Sequence, residues 1–245
     1  MIKFFRKIRY DHMEKNKTGK YFKYAIGEIV LVVIGILIAL QLNLYKENYQ
    51  TNSIRKDYYK QLIGGLNNDK VHLEENILII DSFKTEYNRY LETFKKKDLS
   101  VEIMIQNILK VNLNANLISF NSSTFQSLEK SGDIKILSKV IRNKLLDLKS
   151  KQDLLVERVN NNSLIQTEFL KEYFLAIGSN SLSERISSHP KIKEFLNTEI
   201  NQPKGFLSLE SNISWKLITE KSSDFKEQVS EIEELIELIN IELKK

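Results

Sequence analysis

The chain of 245 residues contains no cysteine, two prolines, three histidines and one tryptophan. Without cysteine there is no disulfide framework, no thiolate nucleophile and no Cys-ligated metal. Histidine is scarcely more useful: His12 precedes the long apolar run and His72 and His189 follow it, so no three-ligand set assembles. His72 and Glu75 share a helix face at i and i+3, a spacing that a solvated polar face explains; His189 lies in a loop before Pro190. No nucleophile elbow, Ser-x-x-Lys arrangement or phosphate-cradling glycine loop is present, and adjacent acids such as Glu74 and Glu75 diverge by about 100° on a helix. No catalytic residue, metal ligand or cofactor is therefore assigned, and the expectation is a non-enzymatic protein.

Net charge is also missing from most of the chain. Residues 1–23 hold eight Lys or Arg, including Lys3, Arg6, Lys7, Arg9, Lys20 and Lys23, against Asp11 and Glu14. With this tail and Glu28 set aside, 29 basic and 29 acidic residues remain. The pI near 9.0 thus belongs to the tail, and the balanced body lacks the basic surface that nucleic-acid binding requires. Ser131-Gly132-Asp133 reads accordingly as a helical corner rather than a DNA-binding turn.

What is present is a long apolar run. Residues 24–44 form a helix of roughly 31 Å, enough to cross a hydrocarbon core, with Glu28, Gln41 and Asn43 near its ends and Tyr21, Tyr24 and Tyr45 at interfacial positions. Leu37 and Ile38 stand where a cleavage site would need small residues, so the run reads as an uncleaved signal anchor. The basic tail places the N-terminus in the cytoplasm and the body outside the inner (cytoplasmic) membrane, in the periplasm of a cell with two membranes. The same bases serve as stop-transfer charge or lie along an anionic leaflet. Gly27, Gly35 and Ala39 share one face of the span, which is either a helix-packing surface or ordinary membrane glycine usage. Glu28 is an intramembrane acid, and its place near the headgroups explains it without a functional role.

Beyond the membrane the periodicity is helical. Leu62, Leu66, Leu73, Ile77, Ile80, Tyr87, Leu91 and Phe94 stripe a stalk-like helix, with a bend or break expected at Gly64-Gly65. An apolar segment follows at 101–111. Ser123 and Gln126 have capping-box spacing for a short helix ended by Gly132. Ile134 to Asn160 and Leu164 to Ile177 read as two helices, the second stopped by Gly178, and residues 179–205 as loop around one short helix. Val229, Ile232, Ile236, Ile239 and Leu243 form a C-terminal seam that packs on the bundle or on another copy. The expected fold is all-α: a basic tail (1–23), a transmembrane helix (24–44) and an extracytoplasmic helical bundle (45–245).

AIGEIVLVVIGILIALQLN at 25–43 and TFQSLEKSGDIKIL at 124–137 together resemble a domain-of-unknown-function family of short single-pass membrane proteins found mainly in Bacteroidota. Leu44-Tyr45-Lys46 departs from that family's asparagine- and tryptophan-rich exit. The resemblance implies location and architecture but no activity. The expected partners are the lipid bilayer and either a second protein or another copy, with no nucleic acid. Two other classes stand behind this reading: an extracytoplasmic ligand sensor relaying through a separate signalling protein, and a membrane-bound hydrolase.

Overall fold

The computed structural model describes residues 18–177, 184–196 and 201–244, all-helical with no strand among them. The elements are α1 (Thr18–Thr93), α2 (Val101–Ile108), α3 (Ser123–Ser131), a 3-10 turn (Asp133–Ile136), α4 (Lys139–Ile177), α5 (Glu184–Ser187), α6 (Pro190–Leu196), α7 (Asn201–Thr219) and α8 (Ser222–Leu243). The chain divides at Asp57–Tyr58 into two units, and α1 contributes to both. In the first unit α1 presents its apolar side chains outward from Ile26 through Leu44. It is the one helix among the described residues long and apolar enough to cross a membrane.

In the second unit the buried face of α1 is Tyr59, Leu62, Leu66, Asp69, Leu73, Asn76, Ile80, Phe83 and Tyr90. These recur at three, four or seven residues, so one narrow stripe faces the bundle throughout. Leu91 and Phe94, expected on that stripe, are exposed, and Phe83 and Tyr90 take the core positions. The helix runs through Gly64-Gly65 without the expected break. Gly64 is exposed, and Gly65 faces Asn121 at ordinary contact distance. Hydrogen bonding and the buried stripe hold a helix that glycine propensity alone would weaken.

The two helices expected over 134–160 and 164–177 are one, α4, and Ile134 lies in the 3-10 turn before it. Its core face continues past Val159 through Ser163, Gln166 and Tyr173, leaving Leu164 and Phe174 outside. The capping box at Ser123 is displaced: Gln126 Nε2 donates to Ser122 Oγ at 2.9 Å, and the amide of Ser123 donates to Asn121 Oδ1 at 3.2 Å. Gly132 ends α3 in the left-handed region at φ 75°, as its position predicts. Gly178 lies outside the described residues.

Tyr59 OH accepts from the Ser138 amide at 3.1 Å, and Asp69 lies opposite Gln152, so α1 and α4 run in the same direction. The chain therefore has to travel back along α1 between them. It does so as a strap, residues 109–122, with neither helix nor strand. Helices α7 and α8 then follow one another along α4 in the opposite direction: Asn212 meets Gln166, Asp224 meets Arg158, and Glu234 meets Lys144.

Two core clusters result. The first joins Tyr59 to Ile80 of α1 with Ile118, Leu128, Ile141 to Val159, and Phe225 to Ile239. The second joins Phe83 and Tyr90 with Ile105, Ile108, Val111, Tyr173, Leu209 and Ile213. The segment expected as loop around one short helix holds two, α5 and α6, and its last residues already belong to α7, which completes the second cluster; Pro203 stands in that helix's first turn, where proline is tolerated. α7 lies close against α4 because Gly205 is buried there; a β-carbon at that position would overlap Ile177.

Two glycine substitutions with opposite signs test this packing. Gly64→Ala should stabilise by about 0.5–1 kcal/mol through helix propensity, raising the midpoint of thermal unfolding followed by circular dichroism in detergent. Gly205→Leu should destabilise by about 1–3 kcal/mol through overpacking, and an unchanged midpoint would show that α7 does not approach α4 this closely.

Candidate functional site: a buried polar clamp and exposed faces

The most concentrated polar chemistry lies where the strap meets α7. Lys216 and Glu220 are i and i+4 on one face of the chain at the end of α7, and both side chains are buried, Lys216 completely. Lys216 Nζ donates to the carbonyls of Asn112 (3.2 Å) and Asn114 (2.6 Å) and sits 4.7 Å from the centre of the Phe83 ring. Glu220 accepts from Asn116 Nδ2 (2.8 Å) and Gln166 Nε2 (3.0 Å), with the Lys216 ammonium 4.0 Å away. Glu86 accepts from the Asn112 amide at 2.9 Å and Asp69 accepts from the Asn121 amide at 2.6 Å, while the single Ser163 hydroxyl proton is shared between the Val159 carbonyl of its own helix (2.8 Å) and the Asn116 carbonyl (3.1 Å). Side chains from α1, α4 and the α7 end thus supply what the strap's own backbone does not.

Burial pushes the Lys216 ammonium below the ordinary lysine value, against the opposing pull of Glu220 and Glu86. It pushes Glu220 above the ordinary glutamate value, against Lys216, Gln166 and Asn116. Asp69 is likewise raised by burial, opposed chiefly by the Asn121 amide and Gln152. Perturbed groups of this kind mark catalytic sites when they face a cleft. Here they face cavities of about 10 Å³ beside Glu220 and about 20 Å³ beside Asp69, each on the order of one water molecule. The arrangement fastens the strap; it offers no room for a substrate.

The surface between α4 and α8 carries a groove of about 350 Å³, lined by Lys144, Asp147, Lys151, Glu231 and Glu234 among others. Its charges bind one another across the groove: Lys144 to Glu234 at 2.5 Å, and Lys151 to Glu231. Lys70–Glu233 and Arg158–Asp224 pair α8 to α1 and α4 at 2.5 and 2.6 Å. These pairs are partly or well exposed, so they align α8 more than they stabilise it. Tyr90 OH donates to Glu210 beside the second core; burial and this carboxylate raise the phenol's pKa.

Of the residues singled out from sequence, Gly27, Gly35 and Ala39 lie on exposed α1, with nothing within 4 Å of where a β-carbon would stand on either glycine. Glu28 is exposed on the same helix. Lys23 is exposed, Lys20 falls in the first turn of α1, and Lys3, Arg6, Lys7 and Arg9 lie outside the described residues. The C-terminal seam is taken up within the chain: Ile232 and Ile239 are fully buried in the first core, with Val229, Ile236 and Leu243 packed against it. His72 Nδ1 lies 3.8 Å from Glu75 on an exposed face, and no metal-holding cluster exists among the described residues.

The sequence reading missed Lys216, Glu220, Gln166, Gln152 and Asp69. Their signal was a polar residue where the three–four spacing of the stripe calls for an apolar one, as at Asp69 between Leu66 and Leu73.

Lys216→Met should cost about 3–5 kcal/mol, because it strands buried Glu220 and the Asn112 and Asn114 carbonyls. Adding Glu220→Gln should recover part of that loss, and urea titration of the full chain in detergent measures both. The pH dependence has a definite sign. Folded Glu220 holds its proton more tightly than unfolded Glu220, so its contribution to stability is greatest in acid and is lost as pH rises from the ordinary 4.5 through the raised folded value. Glu220→Gln should therefore gain on the wild type across that window and level off above it. A difference independent of pH would contradict the burial assigned to Glu220.

Comparison of the chain with family models, curated proteins and solved structures finds no match.

Proposed function

We propose that this chain is a membrane-anchored interaction protein of the cell envelope. The exposed apolar side chains of α1 from Ile26 to Leu44 carry the reading, since in water that surface would be an aggregation liability and in a bilayer it is solvated. The eight bases before it favour an N-terminus in the cytoplasm and a helical unit outside the cytoplasmic membrane. The resemblance of 25–43 and 124–137 to a family of single-pass membrane proteins agrees with that placement. In this reading the anchor confines the chain to a surface and the helical unit binds a second envelope protein or another copy, so that tethering raises local concentration.

The charge-balanced body and the one-water cavities favour a surface-contact role over small-ligand sensing or hydrolysis. In-cell cross-linking of a C-terminally tagged chain, followed by detergent extraction and mass spectrometry, should recover one reproducible envelope protein or cross-linked multiples of this chain. Recovery of single, uncross-linked chains alone would count against the interaction role.

A further inference from the structure

The body balances its charges as a whole but not end by end. At one end of the second unit Tyr58 OH donates to Asp133 Oδ2 at 2.9 Å and Tyr59 OH accepts from the Ser138 amide at 3.1 Å, so the start of the buried stripe on α1 meets the 3-10 turn and the start of α4. α8 finishes there too. Its pairings step from Arg158–Asp224 to Lys144–Glu234, which brings its last residues to the start of α4, and Leu243, like Tyr58 and Ile134, packs on the first core. Six bases gather at this end: Lys60, Lys130, Lys135, Lys139, Arg142 and Lys244. The five lysines are exposed and Arg142 partly so, and none of the six makes an ion pair among the described residues. The acids beside them are Glu129, Asp133 and Glu242, and Asp133 already accepts from Tyr58. The opposite end of the unit, residues 86–110, 166–177 and 201–210, carries seven bases and seven acids. Between the ends, lysines of α4 are matched by acids of α8. The excess of base is therefore local.

We propose that this basic end of the helical unit is a docking surface for anionic phospholipid headgroups. Unpaired bases attract such a surface over about one Debye length, roughly 10 Å at 0.1 M salt. The choice of base favours lipid over an acidic protein. Lysine offers a compact charge on a flexible stem, whereas arginine supplies the planar fork that fixes a carboxylate in one geometry. Five lysines to one arginine suit a fluid array of phosphates better than a single shaped partner. Val140 and Ile241 stand exposed among the bases and add apolar contact at an interface. The inference rests on the membrane anchoring proposed above, which keeps the unit within reach of a headgroup surface.

The absence of cysteine allows a single label. Ser131→Cys at this end and Gln106→Cys on α2 at the opposite end are both exposed positions. Each takes a thiol-reactive fluorophore in the full chain, reconstituted into vesicles that carry a nitroxide-headgroup quencher. Replacing about a third of a zwitterionic lipid by phosphatidylglycerol should raise quenching at Ser131→Cys at least twofold and leave Gln106→Cys unchanged, and the rise should vanish in about 1 M salt, where the Debye length is about 3 Å. Lys130→Glu, Lys135→Glu and Lys139→Glu together should abolish the rise with helical circular dichroism unchanged, and the milder Lys135→Gln with Lys139→Gln should reduce it. Quenching that ignores lipid charge while all six bases are present, or that rises equally at both labels, would overturn the headgroup surface. Flotation of the chain with purely zwitterionic vesicles reports the anchor separately, so failure of headgroup docking is distinguishable from failure of the membrane-anchored reading.

Discussion

The parallel course of α1 and α4 is the constraint on which the rest of the helical unit depends. Antiparallel neighbours need only a connection at one end, but parallel neighbours require the chain to return along their length. The return here is the strap, and an extended single segment has no internal ladder to satisfy its amides and carbonyls. Water cannot serve the side pressed against the bundle, so side chains must. Lys216, Glu86 and Asp69 fill that need at the backbone, and Glu220 holds the strap through the Asn116 side chain, which explains why ionisable groups are buried without a substrate-sized cavity.

That solution has an energetic cost and a structural return. Burying an ammonium and a carboxylate is expensive unless each keeps good hydrogen-bond partners, and both do: two carbonyls and an aromatic face for Lys216, two side-chain amides for Glu220. The pair stands where α7 gives way to α8, between the two apolar clusters. It fixes the strap at the junction while the apolar stripes do most of the stabilising on either side. The ion pairs along α8 are of a different kind, exposed and individually weak, and they set the alignment of a helix whose buried face already holds it.

The same geometry separates what is used internally from what remains for other molecules. The C-terminal seam is consumed by the chain's own core. The strap is held by the buried clamp, and the apolar face of α1 from Ile26 to Leu44 is exposed among the described residues. That exposed helix face is long and apolar enough to cross a membrane.

The sequence by itself determined the helical class, the apolar span, the left-handed stop at Gly132 and most of the stripe on α1, because each depends on local spacing or a single backbone conformation. Local signals misled at Gly64-Gly65 and between Asn160 and Leu164, where the helices run on: tertiary packing outweighed about 1 kcal/mol of unfavourable propensity at each glycine. Only the tertiary structure decided that Leu164 faces outward while Gln166 faces in, and that the 206–219 segment closes the second core. It alone brought Lys216 and Glu220 to a strap a hundred residues away in sequence. A polar residue on a core stripe is written in the sequence, but its partner is chosen by which way the neighbouring helices run, and that is set by the whole packed unit.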